Sequence, residues 1–172
     1  MCLLLTSLTK VTIASLNGAA VGFGFTLSLA CDLRIASEKA RMNMAFVRIG
    51  YIPEMGSTFL LPRIVGITKA CELTFTGRMI DANEAKEIGI LNQVVPSAEL
   101  KDATFKLASS ITPGAPLTIQ LAKRGLYQGL HSDLNTQLFF ERLAVDYILK
   151  SRDFAEGVKA FLEKRKAVFT GD

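Results

Sequence analysis

One carboxylate stands alone in an apolar turn. In Gly50-Tyr51-Ile52-Pro53-Glu54-Met55-Gly56, Glu54 is the only charge between Arg48 and Arg63. A single base in such company suits removal of a proton from the carbon next to a carbonyl. That chemistry also needs a group to receive the negative charge developing on the carbonyl oxygen. A second stretch, Asn17-Gly18-Ala19-Ala20-Val21-Gly22-Phe23-Gly24, offers one: a small-residue turn entering an apolar helical run, Phe25 to Ala30. The first N–H groups of a helix have no intrahelical acceptor and can donate to an oxyanion. Each feature also has a plain structural reading. A Glu in a first helical turn is favoured by the helix dipole. Gly22 and Gly24 can serve a turn that simply needs positive φ.

The elements that position these residues follow from periodicity and punctuation. Thr12-Ile13-Ala14-Ser15-Leu16 reads as a short buried strand turned by Asn17-Gly18. Leu33 to Ala36 and Ala40 to Met44 read as two more strands. Gly56-Ser57 opens a helix over Thr58 to Val65, stopped by Gly66, and a second follows over Lys69 to Phe75. Asp81 precedes a helix closed by Gly89; Ile90 to Val95 is a strand ended by Pro96; Ser97 caps a helix running to about Ser109. This order defines an α/β region, residues 1–112. After Pro113-Gly114-Ala115-Pro116 only helical patterns remain: Leu117 to Tyr127, Asp133 to Lys150 and Asp153 to Lys166. The middle one carries two apolar stripes, Leu134, Leu138, Val145, Ile148 and Leu149, and Phe139, Leu143 and Tyr147. A helix apolar on two faces is buried on two sides, so residues 113–172 are expected to form a subunit interface.

Composition narrows the partners. Hydrophobic residues make up 49% of the 172 and mean hydropathy is +0.31, enough for a core with apolar surface left over. The longest apolar run, Val21 to Cys31, stops at Asp32 and is too short to span a bilayer. Met1-Cys2-Leu3-Leu4-Leu5 lacks the basic flank of a signal peptide, and Thr170-Gly171-Asp172 is no peroxisomal or retention signal. The expectation is a cytoplasmic protein, or a mitochondrial or peroxisomal one in a eukaryote. Three scattered cysteines, Cys2, Cys31 and Cys71, argue for a reducing compartment, and no spacing suggests a metal. The lone histidine, His131, precedes Ser132 and supports no Ser-His-Asp scheme. Asp32, two residues before Arg34, reads as a structural cap or ion pair. Net charge is +4, concentrated locally in Lys123-Arg124 and Lys164-Arg165-Lys166. Without an aromatic-laced basic stripe this excludes a nucleic-acid footprint and better fits a small molecule bearing phosphate.

These segments resemble the crotonase family, the enoyl-CoA hydratases and isomerases. TIASLNGAAVGFGFTLSLACDL (residues 12–33) is similar to the family's second oxyanion segment. FVRIGYIPEMGSTFLLPRIVG (46–66) is similar to its catalytic turn and following helix. TGRMIDANEA (76–85), GILNQVV (89–95) and FAEGVKAFLEKR (154–165) resemble its later helix, strand and terminal helix. The resemblance implies the C-terminal part of a ββα spiral core followed by a helical oligomerisation region. It implies an acyl-CoA thioester as substrate, with coenzyme A part of the substrate and no other cofactor, and a homotrimer or hexamer. It also implies that roughly the first third of a crotonase, with the other oxyanion donor, is not in this chain, so that these residues alone would bind weakly and turn over little.

The resemblance further distributes roles. The Phe23 N–H would be one oxyanion donor, with Gly22 beside it in the acyl site. Family hydratases use two carboxylates; the matching positions here hold Thr26 and Phe46, which disfavours hydration. Glu54 stands where some family isomerases carry their single acid, with Ile52, Met55 and Phe46 as its expected apolar surroundings. One base suffices to take a proton from C2 of an enoyl-CoA and return it at C4. Phe161 and Lys164 match positions that hold the adenine ring and phosphates of coenzyme A. The expected activity is therefore delta3 to delta2 enoyl-CoA isomerisation. Alternatives are a ring-opening aromatic acyl-CoA isomerase, an enoyl-CoA hydratase, or a non-catalytic crotonase-like protein.

Overall fold

The computed structural model describes residues 2–172; Met1 lies outside them. The chain divides into two compact units, residues 2–8 with 12–106, and 9–11 with 107–172.

The first unit repeats one pattern. A strand of one sheet turns into a strand of a second sheet, and a helix brings the chain back. β1 (Ile13–Leu16) turns through Asn17-Gly18 into β2 (Ala19–Val21), which enters α2 (Phe23–Leu29); α1 (Cys2–Ser7) precedes them. β3 (Leu33–Ser37) then turns into β4 (Arg41–Asn43), which runs into a 3-10 turn (Ala45–Ile49) and α3 (Ser57–Val65). Because each return passes through a helix, successive strands stack in parallel. β1 pairs β3 with Ile13 opposite Leu33, and β2 pairs β4 with Val21 opposite Asn43. After α4 (Ile67–Thr76), β5 (Ile80–Asp81) adds antiparallel to β4. α5 (Ala82–Glu87) leads to β6 (Gln93–Val95), parallel to β3.

Between the sheets and helices sit Phe25, Leu29, Met42, Met44, Leu61, Leu73, Ile80 and Ile90, all fully buried. Arg34 closes this core. Its guanidinium donates to the carbonyl of Cys31 (2.6 Å), an acceptor left open just past the end of α2, and to that of Ile90 (2.6 Å), beyond α5. Asp32 anchors the start of β1, its Oδ2 accepting from the Thr12 N–H (2.6 Å) and hydroxyl (2.9 Å). Two expectations change here. β6 begins at Gln93 rather than Ile90, because the Ile90 and Leu91 N–H groups return to the Ala85 carbonyl and close α5. Ser97 does not cap a helix: its hydroxyl meets Glu38 (3.1 Å), and the chain makes a 3-10 turn before α6 (Leu100–Ile111).

The second unit is helical: the end of α6, α7 (Pro116–Gly129), α8 (Leu134–Ile148) and α9 (Arg152–Leu162). The buried Lys123 ammonium donates to the Lys10 carbonyl (3.0 Å), fixing residues 9–11 to α7. α7 and α8 pack at Gly125, where Gln137 donates to the Gly125 carbonyl (3.1 Å) and the Phe140 ring lies close. No residue of α8 is buried; Leu138, Phe139, Leu143, Val145 and Tyr147 are all exposed. An apolar groove of about 780 Å³ runs between α7 and α8.

Candidate active site

Gly22 and Phe23 occupy the turn from β2 into α2. Gly22 has φ 52° and ψ −115°, a conformation that favours glycine strongly. Its N–H donates to the Asn43 carbonyl on β4 (3.1 Å) and its carbonyl accepts from Thr26 (3.0 Å), so both sides of the turn are tied down. Phe23 is thereby the first residue of α2. Its N–H has no acceptor within the helix, and its side chain is 48% exposed. Gly24, also expected to supply conformational freedom, has no positive φ; the turn needs only Gly22.

Thr26 is fully buried, its hydroxyl donating to the Phe23 carbonyl (3.1 Å). Phe46 lies in the 3-10 turn and is also buried. Its ring is 3.8 Å from where a Cβ on Gly22 would stand. The Phe46 carbonyl accepts from the Tyr51 N–H (3.0 Å), and the two rings lie 6.1 Å apart. Phe46 thus joins the Gly22 turn to the segment that leads to Glu54.

Glu54 sits half-buried in the irregular link before α3, its carbonyl accepting from the Ser57 N–H (3.0 Å). The next two residues, Met55 and Gly56, are both left-handed, with φ 57° and 73°. For methionine this backbone costs on the order of 1 kcal/mol, a strain concentrated at functional turns. Gly56 then starts α3, its carbonyl accepting from Leu60 (2.9 Å). The expected apolar wall around Glu54 is only partly built by the chain. Met55 is half-buried, but Ile52 is 69% exposed.

The structure therefore brings Gly22, Phe23, Phe46 and the Glu54 turn into one unit. Phe161 and Lys164 lie in the other, at the end of α9, where both are exposed. Lys164 is left-handed (φ 54°) and closes α9: its N–H donates to Phe161 (3.2 Å) and that of Arg165 to Ala160 (3.0 Å). This double bond pattern ends many helices, usually with glycine in the left-handed place. Sequence reasoning did not find Asn43, whose carbonyl fixes the Gly22 turn. Its signal was the β2–β4 register, legible only once β2 was known. It also passed over Met55 as a strained position, because nothing in its type foretells positive φ. No group of three or more His, Cys, Asp and Glu side chains able to hold a metal occurs among the described residues, and no helix there is long and apolar enough to cross a membrane.

Residues 1–172 match the family model described as enoyl-CoA hydratase/isomerase. The chain is 41% identical over 168 residues to the protein YngF of Bacillus subtilis, covering 98% of this chain and 65% of that one. It is 38% identical over 159 residues to the short-chain-enoyl-CoA hydratase of Clostridium acetobutylicum, covering 92% and 61%. The crystal structure of an enoyl-CoA hydratase from Bacillus anthracis superposes with a TM-score of 0.96 at 38% identity, covering 99% of this chain and 66% of that one. The chain belongs to the enoyl-CoA hydratase/isomerase family and has the crotonase fold. It spans less than two thirds of the length of each of these relatives.

Proposed function

We propose that this chain carries the acid/base half of an enoyl-CoA isomerase that moves a double bond from the 3,4 to the 2,3 position. The observation that carries this reading is the occupancy of three positions. Where the resemblance puts the two hydratase carboxylates stand a buried threonine hydrogen-bonded to Phe23 and a buried phenyl ring beneath Gly22. The remaining carboxylate is Glu54, half-buried and followed by a strained left-handed residue. In this reading Glu54 takes the C2 proton of a 3-enoyl-CoA. The electrons of that C–H bond pass into the thioester, and the Phe23 N–H donates to the oxygen that becomes negative. Glu54 then returns the proton at C4 as the double bond forms between C2 and C3. No water is consumed, so a second carboxylate has no task. Phe161 and Lys164 would meet the adenine and phosphates of coenzyme A.

The two-faced α8 supports an oligomer, a trimer or a pair of trimers, as the working form. Its apolar side chains and the adjoining groove are left open by the single chain. The test of the catalytic reading is a paired assay of a chimera in which a family member supplies the preceding segment: 3-enoyl-CoA isomerisation against crotonyl-CoA hydration. Isomerisation should dominate by at least about a hundredfold, the scale of one positioned acid/base group. Brisk hydration would overturn the reading and leave the hydratase alternative.

A further inference from the structure

The residues after α9 turn back and are held along the helix they have just left. Asp153, in the first turn of α9 and only 3% exposed, accepts from the Thr170 N–H (2.7 Å) on one carboxylate oxygen and the Gly171 N–H (2.9 Å) on the other. The Asp153 N–H in turn donates to the Asp172 carbonyl (3.2 Å). One helical turn on, Glu156 accepts from the Val168 N–H (2.9 Å) and from both terminal nitrogens of Arg165 (2.6 and 2.8 Å). Between them the Phe169 ring rests where Gly157 has no side chain, 3.5 Å from the position of a Cβ.

The reversal happens at Lys164. Its left-handed backbone is unfavourable for any residue with a Cβ, and glycine is the common solution at this place. Here the place is held by contacts on the far side of the turn. Of the basic cluster Lys164-Arg165-Lys166, Arg165 is engaged by Glu156 and by Glu163 (2.6 Å), whereas Lys164 is exposed and joins no ion pair among the described residues. The cluster therefore splits into a structural arginine and two exposed lysines, of which Lys164 stands at the left-handed turn itself.

We propose that Asp153 and Glu156 are positioning residues for Lys164: by clasping the returning tail they fix the left-handed turn from which the Lys164 ammonium meets a phosphate of coenzyme A. The proposal rests on the reading of Lys164 as a coenzyme A contact. Neither carboxylate touches the ligand; each acts through the backbone of the turn.

The experiment is a double-mutant cycle read by calorimetric titration of the protein with coenzyme A. Lys164→Ala should raise Kd about tenfold, the value of one charge-assisted contact. Asp153→Asn and Glu156→Gln should each raise it about three- to tenfold. In either background, Lys164→Ala should add no more than about threefold instead of tenfold, because the lysine is already misplaced. Glu156→Gln keeps the size of a half-buried side chain and keeps the test available if Asp153→Asn does not fold, which a melting curve of each variant shows. If Lys164→Ala weakens binding while Glu156→Gln does not, or if the two effects multiply, the clasp is structural only and the proposal is wrong. If Lys164→Ala itself leaves Kd unchanged, Lys164 is not a coenzyme A contact, and the proposal falls with that reading.

Discussion

Two glycines separated by one residue should respond to alanine with opposite signs. At Gly22 an added Cβ would meet only the Phe46 ring, at 3.8 Å, an ordinary contact. The cost of Gly22→Ala is therefore conformational rather than steric: φ is 52°, where a Cβ crowds the following carbonyl. With ψ at −115° the residue lies outside the left-handed helical well, and the penalty is about 1–3 kcal/mol. Gly24 lies within α2, has no positive φ, and has nothing within 4 Å of the new methyl. Alanine there removes backbone freedom from the unfolded chain and gains about 0.5–1 kcal/mol. For a chain of 172 residues, each kcal/mol moves Tm by about 2–4 °C. Scanning calorimetry should show Gly22→Ala lower by about 2–12 °C and Gly24→Ala higher by about 1–4 °C. The turn must also shift to admit alanine at 22, displacing the Phe23 N–H, so isomerase turnover of the chimera should fall with the stability. Equal shifts of the same sign, or a Gly22→Ala protein with unchanged Tm and turnover, would refute the assignment of the turn's conformation to Gly22 alone.

The tail clasp should loosen in acid. Arg165 and the Val168 N–H hold the Glu156 carboxyl down from its ordinary 4.5 to about 2. A depressed carboxylate contributes stability that is complete above 4.5 and is lost as pH falls through the folded value. Hydrogen exchange at Val168 should therefore become progressively less protected between pH 4.5 and about 2, in step with Glu156 protonation; protection unchanged over that window would contradict the pairing. Assembly should depend on α8. Each of Leu138 and Val145 contributes roughly 1.5–3 kcal/mol if covered by a neighbour, so replacing both with Asp should leave a monomer or an aggregate by light scattering. An unchanged oligomer would place the interface elsewhere.

Much of the first unit was legible because its segments obey simple patterns. Short apolar runs between Asn-Gly, Gly and Pro gave β1, β3 and β4 within about two residues. The Asp81 cap at α5 was visible as a residue type, and its carboxylate does accept from Glu84 (2.9 Å). β2 was hidden because Ala19, Ala20 and Val21 look like part of a small-residue turn; only pairing with β4 makes them a strand. The candidate site was legible as residue types, Glu54 and the Gly22-Phe23 turn. The agent that joins them is not legible: by its type Phe46 reads as an absent carboxylate and an apolar neighbour, whereas its ring and carbonyl bridge the two turns. The tail clasp was illegible for the same reason. Asp153 and Thr170 are remote in sequence, and a left-handed lysine gives no compositional sign.

The central claim is that Glu54 alone shuttles the proton. In the chimera, Glu54→Gln keeps the shape of the side chain and removes its basicity, and the measurement is single-turnover isomerisation of a 3-enoyl-CoA beside calorimetric binding of a non-reactive acyl-CoA. The rate should fall by about 10²–10⁴, the range for a positioned general base, while acyl-CoA affinity changes by less than about twofold. A variant that keeps most of its isomerase activity would show that another group carries the proton.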